Sequence, residues 1–187
     1  MIHLQTPLTP DKIKELKAGD EVLLSGTIYT GRDAAHKRLI ALLDQGQPLP
    51  FDIKDQTIFY VGPTPSKPGM AFGSGGPTTS GRMDAYAPRL IALGLHAMIG
   101  KGYRNAAVKK AIVDHGGVYF GAIGGAGAMM SACIEQCDII AFDDLGPEAI
   151  RKLKVKDMPL VVVIDSQGQD LYEIGRQNYL SSHQIKD

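Results

Sequence analysis

The sequence predicts a single α/β domain built on a mixed sheet and spanning residues 1–187. Three observations carry that expectation. Strand-like runs alternate with helix-like runs through the middle of the chain, the pattern of strands joined by crossover helices. Further strand-like runs cluster near both ends, which suits a mixed rather than a purely parallel sheet. The 187 residues are enough for one well-packed domain and few for two, and 44% of them are apolar against 21% charged, a globular balance.

Residues 1–20 read as a leading segment, in which Thr9-Pro10-Asp11 suits a helix start and Ile13 to Lys17 a short helix closed by Gly19. Glu21 to Tyr29 is rich in strand formers. Thr30 to Asp33 is a turn, and Ala34 to Leu43 has helical spacing, with Leu39, Leu42 and Leu43 on one side. Gln45 to Pro50 breaks that helix. Thr57 to Val61 is a second strand, ended by a loop rich in proline and glycine over 62–69. A helix is expected over Thr79 to Leu93, with Pro88 a kink or an early stop. His96 to Ile99 reads as a strand, Asn105 to Asp114 as a helix closed by His115-Gly116-Gly117, and Val118 to Phe120 as a short strand. The glycine-rich run from Gly121 to Gly127 then turns helix-like toward Cys133. Cys137 to Phe142 and Leu160 to Ile164 are strands, Ser166 to Gln169 is a turn, and the tail from Gln177 is polar.

Charge and composition narrow the function. Net charge is zero, so bulk electrostatics give no pull toward nucleic acid or an acidic membrane surface, and any cationic site must be local. No apolar run reaches the ~20 residues that span a bilayer. The N-terminus lacks a basic head followed by an apolar core, so a cytoplasmic protein is expected. The two cysteines, Cys133 and Cys137, cannot build a disulfide framework, nor supply the three or four thiolates of a zinc or iron–sulfur site. No metal ligands are expected in this chain.

The candidate site centres on Gly73 to Arg104. Glycines in Gly73-Ser74-Gly75-Gly76 let backbone approach a ligand closely. With a helix starting near Thr79, Thr78 and Arg82 lie four residues apart, near one face of a helix end that favours an anion. Arg32, Arg82 and Lys101 each adjoin a glycine, and two of them follow predicted strands, where open α/β sheets place ligands. Three cations on separate loops suit a small dianion, since guanidinium forks grip carboxylates two-pronged. Asp33 and His36 stand three apart at a strand-to-helix junction. Asp33 suits a helix cap. His36 suits either a surface position on that helix or a general acid and hydrogen-bond donor to a ligand. Thr78, Thr79 and Ser80 are capping residues or, where an alkoxide is stabilised, a base or nucleophile. The run from Gly121 to Gly127 imitates a dinucleotide loop without matching GxGxxG, and no serine-hydrolase elbow, phosphate-binding GxxxxGK[ST] or zinc HExxH is present.

Read together, GPTTSGRMDAY at 76–86, GKG at 100–102 and TGRDAAHKR at 30–38 closely resemble the β part of class I fumarases, a family of iron–sulfur hydro-lyases that also holds the β subunit of L(+)-tartrate dehydratase. The resemblance covers roughly Leu8 to Asp165. It implies a swivelling β/β/α domain similar to the mobile domain of aconitase. It also implies a separate α subunit that holds a [4Fe–4S] cluster through three cysteines, in an α2β2 assembly active only with both chains. On this likeness Thr78 matches the catalytic base that takes a proton from malate C3. Arg82, Lys101 and Arg32 match the cations that hold substrate carboxylates, and Asp33 and His36 are their neighbours at the substrate. Gly31 before Arg32 and the Gly81-Arg82-Met83-Asp84 run favour fumarate and (S)-malate over tartrate. The rival from another class is a stand-alone module that binds a small dicarboxylate without chemistry.

Overall fold

Two long strands frame the molecule, β2 over Glu21–Thr30 and β7 over Ile150–Ile164. The computed structural model describes residues 1–122 and 127–182, so Ile123 to Ala126 of the predicted glycine loop lie outside the described residues. Beside β2 run β1 (Ile2–Gln5), β3 (Thr57–Phe59), β4 (Ala97–Gly100) and β5 (Val118–Ala122), all parallel. β7 pairs antiparallel with β5, with β2 and with β6 (Ile134–Ala141), so it joins both flanks of the parallel set and closes the sheet on itself. The predicted mixed α/β architecture is the observed one.

Helices α2 (Asp33–Asp44), α3 (Ala87–Ala92) and α4 (Ala106–His115) connect the parallel strands. Because side chains alternate across a strand, the parallel strands bury both faces. Ala97 and Ile99 of β4 join Phe59, Val118 and Phe120 in one core cluster. Met98, Ile58 and Tyr119 point the other way and meet Leu39, Leu90 and Ile112 of the helices. α4 ends as its sequence demands: the Asn105 side chain accepts from the Val108 amide at the start, and Gly116 takes the left-handed conformation at the end.

Four expectations change. The helix expected over Thr79–Leu93 is two pieces, a 3-10 turn over Ser80–Met83 and then α3, where Pro88 opens the helix instead of kinking it. β1 pairs with β2 inside what reads as a leading segment, while the helix there, α1, is limited to Pro10–Ile13. β7 starts ten residues before its predicted Leu160, because Ile150, Leu153 and Val155 are buried between exposed lysines. After the short helix α5 (Gly127–Ala132), the polar tail forms α6 over Leu171–Ser182. Its start is marked by Asp170, whose carboxylate accepts from the Tyr172 amide.

Candidate active site

The parallel strands end on one edge of the sheet, and the segments that leave them bring the predicted residues there. β2 runs into Gly31-Arg32-Asp33, β3 into Tyr60 and the loop to Thr78, and β4 into Lys101. Ligands of open α/β sheets sit at such strand ends. The Thr78 amide donates to the Tyr60 carbonyl at 2.8 Å, which ties the proposed base to the end of β3. Thr79 forms a parallel bridge with Lys101, and the Ser80 amide donates to the Lys101 carbonyl at 2.9 Å. Thr78 therefore precedes the 3-10 turn and is not on a helix face, Thr79 is extended, and the anion-gripping helix end expected at Thr79 is replaced by a bridge to the next strand. Thr79 makes no side-chain cap.

Ser80 is the joint of this bridge. Its hydroxyl accepts from the Lys101 amide at 3.0 Å and from the Tyr119 hydroxyl at 2.9 Å. The Tyr119 hydroxyl also lies 3.0 Å from the Gly102 carbonyl. Burial pushes the Tyr119 hydroxyl well above its ordinary range, so it stays a neutral donor. Gly100 has to be glycine here, since a Cβ would stand 1.9 Å from Ser80 Oγ.

Below the bridge lies a buried ion pair. Arg104 Nε donates to Asp84 Oδ1 at 2.6 Å, and the other Asp84 oxygen accepts from the Asn105 amide at 2.6 Å. The guanidinium carbon is 5.3 Å from the Tyr60 ring centre and 5.0 Å from that of Tyr119. Burial opposes the Arg104 charge, but Tyr60 and Asp84 outweigh it and hold its pKa above the ordinary value. Neither Arg104 nor Asp84 stood out as a site residue in the sequence, although both fall within or beside the recognisable motifs.

The remaining predicted residues meet across two loops. Arg82 Nε donates to Asp33 Oδ1 at 2.8 Å, so the 3-10 turn is joined to the start of α2. Arg32 Nη2 is 3.3 Å from Glu148 Oε1, and Glu148 Oε2 accepts from the Ala34 amide at 2.9 Å. Glu148, not Asp33, thus caps α2. His36 is fully buried. Its Nδ1–H donates to the Arg32 carbonyl at 2.8 Å, and its ring meets the Tyr60 ring edge-on at 5.3 Å. Burial pulls its pKa down to about 4, so the ring is neutral and Nε2 is left as an acceptor. The surface position expected for His36 is corrected by that burial, and in this tautomer the ring has no N–H to offer a ligand. Three buried polar atoms here lack a hydrogen-bond partner among the described residues: Arg32 Nε, Asp33 Oδ2 and His36 Nε2. Lys101 is exposed and makes no ion pair with a described residue.

The donors among the described residues do not fit a cluster or a metal ion. Burial raises the Cys133 and Cys137 thiols, which disfavours the thiolate that ligation needs. Among the described residues no group of three His, Cys, Asp or Glu side chains comes together to hold an ion. No helix among them is long and apolar enough to cross a membrane.

Comparison with known proteins places this chain in a family. Residues 1–175 match the family described as Fumarase C-terminus. "Fumarate hydratase 2" of Leishmania major is 38% identical over 177 residues, which are 91% of this chain and 31% of that protein. "Fumarate hydratase class I, aerobic" of Escherichia coli is 40% identical over 164 residues, 87% of this chain and 30% of that protein. The chain therefore spans about a third of the length of these fumarate hydratases. "Putative L(+)-tartrate dehydratase subunit beta" of Methanocaldococcus jannaschii is 40% identical over 172 residues, 89% of this chain and 88% of that protein. With nearly its whole length matched, the chain belongs to the Fumarase C-terminus family.

Proposed function

We propose that this chain is the β part of a heteromeric class I fumarate hydratase, which interconverts fumarate and (S)-malate together with an α subunit. The observation that supports it most is the convergence of one hydroxyl and three cations, Thr78 with Arg32, Arg82 and Lys101, on one strand-end edge. In this reading Thr78 removes the C3 proton of malate. That proton is very weakly acidic, and charge builds on the adjacent carboxylate as it leaves. Fixed cations aimed at that carboxylate favour the transition state over the ground state. A hydroxyl serves as base only where its alkoxide is stabilised. Here Lys101 is bridged to the neighbouring Thr79.

Asp33 and His36 act in support of these groups. A carboxylate facing a dianion repels it, and Asp33 already engages Arg82. His36 anchors the Arg32 carbonyl from below. The [4Fe–4S] cluster of the resemblance is assigned to the α subunit, in an α2β2 assembly, since the donors among the described residues do not fit it. The 1–187 chain is read as one domain that swivels against that partner, in the cytoplasm. A β subunit among the relatives, matched over 88% of its length, supports a two-chain enzyme. Its name also supports a second reading, an L(+)-tartrate dehydratase β subunit.

Anaerobic assays of the reconstituted α–β pair separate the readings. Malate turnover should exceed L(+)-tartrate turnover, and the reverse order would favour the dehydratase. Dicarboxylate binding without turnover on either substrate would favour the binding module. Thr78→Ala should lower kcat by roughly 10²–10⁴-fold with assembly intact. A near-normal kcat would remove Thr78 from the base role.

A further inference from the structure

Sequence reading leaves residues 143–187 without a part in the site, yet the hook that precedes β7 reaches it. Residues 142–149 turn on themselves, with Phe142 and Gly146 in left-handed backbone and a 3-10 segment over Asp143–Glu148. Arg151 pins the turn from inside the chain, donating to the carbonyls of Gly146 at 2.9 Å and Pro147 at 3.1 Å. Arg38 pins it from α2, with both ends of its fork on Asp144 at 2.7 and 2.8 Å. Thr30, the last residue of β2, donates to the Ala149 carbonyl and accepts from the Arg151 amide. So fixed, the hook places Glu148 with one oxygen at Arg32 and the other on the Ala34 amide.

A second neighbour of Arg32 is equally defined. Gly62 presents bare backbone to it: a Cβ there would stand 2.8 Å from Arg32 Nη1 and 3.2 Å from both Arg32 Cδ and the Pro147 carbonyl oxygen. Gly62 does not have a positive φ, so the requirement for glycine is steric room for this guanidinium. Arg32 thus packs against both a bare glycine and the hook, and Gly62 itself borders the hook at the Pro147 carbonyl. Its Nε has no partner among the described residues.

A carboxylate beside a substrate-binding guanidinium offsets part of the charge that attracts the substrate, so its benefit must lie in direction. We propose that Glu148 is a positioning residue that aims the Arg32 fork at a substrate carboxylate, with Gly62 leaving the guanidinium room beside the hook. The proposal rests on the reading of Arg32 as a carboxylate-binding residue of a hydro-lyase. Glu148 itself does not touch substrate.

The test uses the reconstituted α–β enzyme with malate as substrate and succinate as a non-reacting dicarboxylate probe. Glu148→Gln keeps an acceptor for the Ala34 amide and loses the ion pair. It should raise the malate KM and the succinate Ki about ten- to a hundredfold while kcat changes much less. Glu148→Asp should restore part of the loss. Combined with Arg32→Gln, Glu148→Gln should add little to the loss of the single Arg32→Gln variant, because both act on one group. Unchanged KM and Ki in Glu148→Gln, or losses that multiply in the double variant, would overturn the proposal. Should Glu148→Gln fail to fold or assemble, Gly62→Ala decides: its methyl crowds the same guanidinium and should raise KM and Ki in the same pattern, and normal values would overturn the proposal. Failure of the broader reading is distinct, since it would show as a wild-type pair that turns over neither malate nor tartrate.

Discussion

Two arginine–aspartate pairs have members two residues apart in sequence, Arg82 and Asp84, and differ in almost every physical respect. Arg104–Asp84 is buried, with side-chain exposures of 0% and 8%, whereas Arg82–Asp33 is open, at 52% and 29%. Both Asp84 oxygens are occupied, one by Arg104 and one by the Asn105 amide. Asp33 uses one oxygen on Arg82 and leaves the other without a hydrogen-bond partner among the described residues. The saturated pair lies beneath the site and clamps the segment after the 3-10 turn to the start of α4. The open pair lies beside Arg32 Nε and His36 Nε2, which also lack partners. Buried polar groups are mostly satisfied, and of the five buried side-chain polar atoms without a hydrogen-bond partner among the described residues three lie at this strand-end edge, the spare capacity that the proposed carboxylate ligand would use.

The difference is sharpest in stability. Arg104→Ala leaves Asp84 buried beneath Tyr60 and Tyr119 without its counter-ion. Removing one partner of a buried pair should cost roughly 3–5 kcal/mol. Denaturant unfolding of wild type and variant measures this, and a loss under about 1 kcal/mol would mean that the pair is not the structural clamp described above. Because Asp84 also receives the Asn105 amide, the variant should loosen the start of α4, readable as faster amide exchange there.

The next effect down the scale is the buried imidazole. His36 has a folded pKa of about 4 against the ordinary 6.5. Between those values the unfolded chain binds a proton that the folded chain refuses, so stability rises with pH across this window. The His36 contribution is fully present above pH 6.5 and is lost as pH falls toward 4, by roughly 3 kcal/mol in all. Carboxylates titrate near the lower end too, so the measurement is the difference in slope between wild type and His36→Gln from pH 6.5 to about 4. Equal slopes would show that the ring accepts a proton in place, contrary to its neutral, carbonyl-bound state.

What the sequence disclosed, and what it hid, divides along the same line. Local signals were readable: the crossover pattern of strands and helices, the Asn105 cap, the Gly116 stop, and the glycine-flanked Arg32, Arg82 and Lys101. Each depends on a few adjacent residues. Glu148 reaches Ala34 across 114 positions and the Tyr119 hydroxyl reaches Ser80 across 39, and no local pattern announces such contacts. The 3-10 turn was misread as a helix because its apolar spacing is helical, while the pairing of Thr79 with Lys101 holds the backbone extended just before it. Two further elements do carry local signals. Buried Ile150, Leu153 and Val155 alternate with exposed lysines as an amphipathic strand does, and Asp170 with Glu173 three residues later is a capping pattern for α6.

The smallest stability effect belongs to the open pair, and it separates stability from activity. Arg82–Asp33 is half exposed and screened by solvent, so its loss should change folding stability by about 0–1 kcal/mol. Arg82→Lys keeps the charge and loses the planar fork that both holds Asp33 and grips a carboxylate two-pronged. In the reconstituted enzyme kcat/KM on malate should fall more than about tenfold, equivalent to ~1.4 kcal/mol of transition-state stabilisation, while the unfolding midpoint barely moves. The opposite result, a large loss of stability with kcat/KM intact, would make Arg82–Asp33 a second structural clamp like Arg104–Asp84. The unpartnered Asp33 oxygen would then be a packing defect. The expected result instead makes Asp33 a support for Arg82, one that holds Nε and leaves the terminal nitrogens of the fork for the substrate.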